Sequence, residues 1–157
     1  MASKDPCLRE SLKILSIRQY SAGEMKEKLR NRGFPDESIE SALNRLMEYG
    51  YIDDLDLMKT LVEIKFTAQG YGRRRVKDYL RRRKIPEGLI VSELDMLITR
   101  ENSVERGLEL LSGGKNIVRK AARGGKDKIF QYLARRGFDF GECKDIIFEY
   151  EKNSEGN

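Results

Sequence analysis

An all-α fold of three tandem three-helix repeats, elongated or curved and built from helix-turn-helix-like units, is predicted by three observations. Three ten-residue segments align without gaps, the apolar spacing around each is helical, and only three Pro occur in 157 residues. The segments are Met25–Phe34, Val76–Ile85 and Ile129–Phe138. Their anchor leucines Leu29, Leu80 and Leu133 lie 51 and 53 residues apart, each with an apolar residue four before it and another five after it. Self-similarity at a fixed period marks a repeated supersecondary unit. A unit of about 50 residues buries little core alone, so the units are expected to pack on their neighbours.

The elements follow in order. Leu8, Leu12 and Leu15 predict a helix over 5–17. Ser21 and Glu24 form a capping box that starts the helix over 21–32, because each side chain satisfies the other's free backbone donor. Gly33 suits the left-handed residue at its end, and Pro35 opens the helix over 35–49, whose Ile39, Ala42, Leu43 and Leu46 share one face. Asp53-Asp54 cap a helix over 53–69 bearing Leu57, Leu61 and Ile64. Helices over 72–84 and 86–99 complete the second triplet; the latter carries Ile90, Leu94 and Leu97. Val104, Leu108 and Leu111 predict a helix over 101–112. The last two helices are expected over 116–136, with a break at Gly124-Gly125, and over 139–151, capped by Asp139. The domain division is therefore 5–52, 53–99 and 101–151, followed by a disordered tail, 152–157.

Composition excludes several function classes. The chain contains no His, so no Ser-His-Asp triad, Cys-His dyad or His-ligated zinc site can be built. Cys7 and Cys143 sit far apart in sequence, and neither a disulfide nor a thiolate metal site is expected of them. Gly113-Gly114-Lys115 and Gly124-Gly125-Lys126 lack the upstream Gly and the downstream Ser or Thr of a phosphate-binding loop. Asp53-Asp54-Leu55-Asp56 lacks the central Gly and distal Glu of a calcium loop. No metal and no cofactor are expected. No apolar run approaches a membrane span, and the start of the chain is polar, so a cytoplasmic protein without membrane contact is expected.

Charge is segregated. Net charge is only +5, yet residues 73–84 hold eight positive side chains against Asp78 alone. Residues 115–128 hold six against Asp127, whereas 36–63 and 139–157 are acidic. Arg73, Lys77, Arg81 and Lys84 fall on one helical stripe, which concentrates positive potential and attracts polyanions. Tyr20, Tyr71 and Tyr79 could stack on bases, but Tyr20 and Tyr71 each stand nine residues before an anchor leucine, which favours packing.

These residues resemble the RecX family of regulators of the RecA recombinase. The resemblance rests on Arg18–Leu29 with Gly33-Phe34, on Tyr49-Gly50-Tyr51-Ile52-Asp53-Asp54, on Gly70 with the basic helix after it, and on Lys128–Phe138. It covers roughly residues 8–150. The family has Gly where Lys84 stands, so that helix end is expected to close differently; 112–127 matches poorly.

The resemblance implies a regulator without enzymatic activity, acting in recombination, DNA repair and the SOS response. It implies binding to the RecA–DNA filament, with blocked filament growth or promoted disassembly. ATPase, strand exchange and co-protease activity of the partner would then fall. The basic stripe supplies a contact set of Arg73, Arg74, Lys77, Arg81, Arg82 and Lys84, with Arg119, Lys120 and Arg123 second. Arg135 and Arg136 recur at the offsets of Arg30–Arg32, so a repeat-packing role competes for them. The expected partners are a RecA-type filament and, beside it, single- or double-stranded DNA, met by a monomer. A direct, largely non-specific nucleic-acid-binding protein is the alternative reading, and an enzyme the third.

Overall fold

Nine α-helices and no strand are found among the residues that the computed structural model describes, 4–113 and 123–156. Polar caps set most of the starts. The Asp5 carboxylate accepts the Cys7 N–H at 2.9 Å and opens α1, Pro6–Leu15. Ser21 and Glu24 exchange backbone and side-chain bonds at 3.1 Å each and open α2, Ala22–Asn31. The third helix, α3, is Asp36–Glu48, entered from Pro35. Asp53 accepts the Asp56 N–H at 3.0 Å at the head of α4, Asp54–Val62. Asp54 reaches away from its own helix and accepts the Ala22 N–H at 2.9 Å, so it caps α2 instead. The helices α5, Arg73–Arg82, and α6, Glu87–Leu97, follow. Thr99 caps α7, Arg100–Ser112; Gly125 precedes α8, Lys126–Arg136; Asp139 caps α9, Phe140–Glu155.

Four expectations are corrected. The helix over 53–69 does not stay α-helical, because a π turn, Glu63–Ala68, follows α4. Its wider winding rotates the apolar face, so Phe66 is buried while Ile64, expected in the core, is exposed. In α1 the buried stripe is Leu8, Ser11 and Ile14, with Leu12 on the surface. In α7 it is Ser103 and Gly107, each one residue before the expected Val104 and Leu108, together with the expected Leu111. Gly107 explains the shift, since a Cβ there would lie 2.3 Å from Ile146 Cδ1, so α9 can approach only a residue without a side chain. Finally, α9 continues to Glu155 rather than ending at 151, through part of the segment expected to be disordered. No Gly or Pro lies between Glu142 and Glu155, and Ser154 Oγ donates to Tyr150 O at 2.9 Å. The break expected at Gly124-Gly125 is present, with α8 starting at Lys126; positions 116–122 of that expected helix lie outside the described residues.

Lys84 also departs from expectation. The end of α5 closes with the same left-handed turn as the glycine-ended helices, although the residue is lysine. Lys84 has φ 55°, and it alone has positive φ among the described non-glycine residues. Its N–H meets Arg81 O at 3.0 Å and Ile85 N–H meets Leu80 O at 3.1 Å. Gly33 and Phe34 repeat this pattern at the end of α2, and Gly137 and Phe138 at the end of α8. The six-to-one and five-to-two bonds satisfy carbonyls that the helix leaves open. The turn geometry thus prevails over the Cβ penalty.

The chain divides into two compact units, Met1–Thr60 with Leu80–Ile90, and Leu61–Tyr79 with Val91–Asn157. The first has a core that includes Met25, Leu29, Ile39, Ala42 and Leu46. The second has one that includes Leu133, Phe138, Cys143 and Ile146. The middle triplet is shared between the units, and its Val76, Leu80, Ile90 and Leu94 are all buried. Both cysteines are buried and free. Burial pushes the Cys143 thiol up to about 11, which suppresses its thiolate.

Glu142 is buried in the second unit and accepts a short hydrogen bond from Ser103 Oγ. Burial pushes its carboxyl up to about 7; the Ser103 bond opposes this, and Asp139 adds to it. The folded state therefore holds a proton that the unfolded chain releases near pH 4.5. Stability contributed by the neutral acid is complete below that pH and is lost as pH rises toward 7.

Three outcomes are expected. Between pH 5 and 7.5, where no His titrates, stability in urea should fall by about 1–3 kcal/mol, and Glu142→Gln should flatten the profile. Lys84→Gly should raise stability by about 0.5–1 kcal/mol by relieving the left-handed lysine. Gly137→Ala, which places a Cβ 2.5 Å from Arg75 Cβ at φ 103°, should lower it sharply.

Candidate functional site

The basic segment begins at a close approach of two backbone segments. Gly72 N–H donates to Arg136 O at 2.7 Å and Arg74 N–H to Gly137 O at 3.1 Å, so the start of α5 seats on the end of α8. A Cβ on Gly72 would lie 2.3 Å from Gly137 C. The Arg136 guanidinium closes the joint by donating to Gly70 O at 3.3 Å and to Gln69 O, and its centre lies 4.9 Å from the Tyr71 ring. Arg75 stacks on the same ring at 3.9 Å. Helix-start donors meeting helix-end carbonyls join opposite ends of two helix dipoles.

The first unit contains an equivalent joint one repeat earlier. Ser21 Oγ donates to Arg83 O at 2.7 Å, and Arg83 Nη2 donates to Gln19 O at 3.2 Å. Arg83 Nε also pairs with Glu24 at 3.2 Å. Burial would raise the Glu24 carboxyl, but the Ser21 N–H, Arg18 and Arg83 outweigh it and hold it below the usual range. Lys84 lies over Gly23, whose absent Cβ would fall 2.9 Å from Lys84 Cβ. Arg83 and Arg136 each stand three residues after an anchor leucine. The packing role open to Arg136 in the sequence is the one it takes.

The proposed contact residues therefore separate. Arg73 is half-buried and ion-paired with Asp95, and Arg74 Nη2 donates to Ala134 O at 2.7 Å, capping the end of α8. Lys77 is half-buried. Arg81 is exposed and grips Glu87 with two bonds at 3.0 and 2.7 Å. Arg82 is exposed. Lys84 is exposed and pairs with Glu27 at 3.0 Å; it lies beyond the end of α5, and its left-handed backbone takes it off the helical stripe expected from the sequence. Arg73, Arg74 and Lys77 belong to the second compact unit, and Arg81, Arg82 and Lys84 to the first. Arg123 is exposed in the second unit, whereas Arg119 and Lys120 lie outside the described residues.

The tyrosines are occupied by cations of the chain itself. Tyr20 is buried, with Arg18 at 3.8 Å and Lys28 at 5.2 Å from its ring centre. Lys65 lies 4.3 Å from the half-buried Tyr79 ring. Such contacts hold the rings in place by attraction of a cation to the π face. Among the described residues, no group of His, Cys, Asp and Glu suits a metal ion, and no helix is long and apolar enough to cross a membrane.

Residues 7–46 match the family model for the first three-helix domain of RecX. The regulatory protein RecX of Clostridium botulinum (strain Eklund 17B / Type B) is 26% identical over 155 residues, covering 95% of this chain and 72% of that protein. That of Prosthecochloris aestuarii (strain DSM 271 / SK 413) is 27% identical over 149 residues, covering 93% and 94%. Over nearly its whole length the chain is thus similar to RecX proteins. The crystal structure of RecX from Lactobacillus salivarius has the same fold, with a TM-score of 0.81 at 22% identity over 92% of this chain and 94% of that one. In this chain the basic segment combines two kinds of arginine, those that lock helix ends and those that project to solvent.

The two kinds should behave differently on truncation. Arg83→Ala leaves the half-buried Glu24 with Arg18 alone of its two arginines, removes the bond to Gln19 O, and should reduce stability by about 1–3 kcal/mol in urea unfolding. Arg81→Ala opens only an exposed pair and should change it by less than about 0.5 kcal/mol.

Proposed function

We propose that this chain regulates a RecA-type recombinase by binding its DNA filament and inhibiting ATPase, strand exchange and co-protease activity, without catalysis of its own. The observation that carries the reading is the exposed end of the basic segment, Arg81 and Arg82, on a chain similar to RecX proteins over nearly its whole length. Arg81 is held by Glu87 at the surface, a pair weak enough to be exchanged for phosphate or for carboxylates of a partner. Lys77, Lys84 and Arg123 extend the positive surface within their own units, and Arg73 and Arg74 add to its field while holding their structural contacts. A monomer that touches several adjacent subunits gains avidity from patches that are weak singly. Binding blocks filament growth or promotes disassembly, in the cytoplasm where the filament forms.

The test is the ATPase rate of a RecA-type recombinase on single-stranded DNA with this protein titrated in, beside DNA binding by this protein alone across a salt series. Inhibition well below one molecule per recombinase subunit, at salt where bare DNA is hardly bound, is the expected result. Inhibition only at concentrations that coat the DNA would make the chain a competing nucleic-acid binder instead. Charge reversal by Arg81→Glu with Arg82→Glu should weaken inhibition about tenfold or more with an unchanged thermal transition. Full inhibition by that variant would remove this end of the helix from the mechanism.

A further inference from the structure

The second compact unit carries a groove of about 780 Å³ between α7 and α9 that the basic segment does not line. Its α7 wall presents Glu101, Val104, Glu105 and Leu108, the i, i+3, i+4, i+7 stripe of one helix face. Its α9 wall presents Asp145, Phe148 and Glu149, again at i, i+3 and i+4. Val104 and Leu108 are half-buried, and Phe148 stays 65% exposed beside them. A large aromatic left in water within an apolar groove marks an interaction surface more specifically than a scattered surface leucine does.

The charge around this apolar strip is one-sided. Four carboxylates line the groove, and Arg100 alone opposes them, already bound to Asp145 at 2.9 and 2.6 Å. Glu101 and Glu105 are four residues apart on α7, and Asp145 and Glu149 four apart on α9. Like charges at that spacing destabilise a helix by a few tenths of a kcal/mol per pair. Glu101 sits in the first turn of α7, where the helix dipole favours an acid; Glu105 and Glu149 stand beyond the first turns of their helices, where the dipole gives no such reason for an acid. The arrangement has a natural complement, a cation-rich helix whose apolar stripe covers Val104, Leu108 and Phe148 while its basic flanks meet the two walls.

We propose that the α7–α9 groove is a docking site for a basic amphipathic helix of a partner protein. It is independent of the recombinase reading, because it involves other residues and a partner segment of opposite charge from one met by Arg81 and Arg82. Val104, Leu108 and Phe148 supply affinity by apolar burial; Glu101, Glu105 and Glu149 supply orientation and select against acidic segments.

The test uses the full chain and a fluorescein-labelled Leu/Lys amphipathic peptide of about 14 residues, four helical turns. Fluorescence anisotropy is read for this probe, for a scrambled peptide of the same composition, and for its Leu/Glu counterpart. The expected result is saturable binding of the Leu/Lys peptide, with the scrambled and Leu/Glu peptides at least about tenfold weaker. Phe148→Ser, and separately Glu105→Lys with Glu149→Lys, should each weaken the probe about tenfold with an unchanged circular-dichroism transition. Equal binding of the scrambled peptide, or of the probe to both variants, would overturn the proposal in favour of unspecific charge attraction. Self-association of the free chain that Phe148→Ser abolishes would overturn it in favour of a second copy of this chain.

Discussion

Every helix ends with carbonyls that no residue of its own can satisfy, and this constraint organises the chain. Where α8 ends, Arg136 O and Gly137 O accept the amides that begin α5; where α5 ends, Arg83 O accepts the hydroxyl that begins α2. Each joint is closed by an arginine three residues after an anchor leucine, reaching back to a carbonyl that precedes the next helix start. The left-handed turn is part of the device. It brings the terminal carbonyls within reach, and it holds at Lys84 although a lysine there is strained. Lys84 and Gly23 show the adjustment, since the side chain displaced by that turn lies where α2 carries only a hydrogen atom.

That device also divides the labour of a strongly basic segment. Eight cations in twelve residues look like one recognition surface, but half of their chemistry is internal. Arg74 caps a helix, Arg75 stacks on Tyr71, and Arg83 neutralises Glu24. Charge on a side chain that also closes a joint still contributes to the long-range field, because screening over a few ångströms is incomplete. A partner would sense the whole segment while touching only its exposed members. Such a surface favours steering and avidity over a single tight contact, in keeping with the regulatory role proposed above.

The second unit also buries an acid. Glu142 is accommodated in its core by Ser103 and by retention of a proton, while Asp139, one turn earlier, is held ionised by the Glu142 N–H and by Arg100 and Arg73 against the effect of burial. Two neighbouring carboxyls thus take opposite protonation states, as like charges at short range require.

Much of this was legible in the sequence. Leu29, Leu80 and Leu133, with their flanking apolar residues, define the triplets, because burial of one helix face imposes a period that survives without any partner in view. Ser21 with Glu24, and Asp139, read directly as caps because a cap is a local hydrogen bond. The basic segment was visible as charge. What the sequence did not disclose depends on which surfaces meet. Gly107 lines α7 because α9 comes too close there for a side chain, and Ser103 because its hydroxyl meets Glu142, facts no apolar pattern carries. The π turn moved Ile64 outward and Phe66 inward through winding, without any change of composition. The distinction between arginines that lock a joint and arginines that project to solvent required the carbonyls of residues some sixty positions away. Sequence by itself determined the helices, their starts and the distribution of charge, since these rest on contacts within a few residues. Tertiary structure alone decided which charges remain at the surface, because a hydrogen bond between distant segments exists only after the backbone has brought them together.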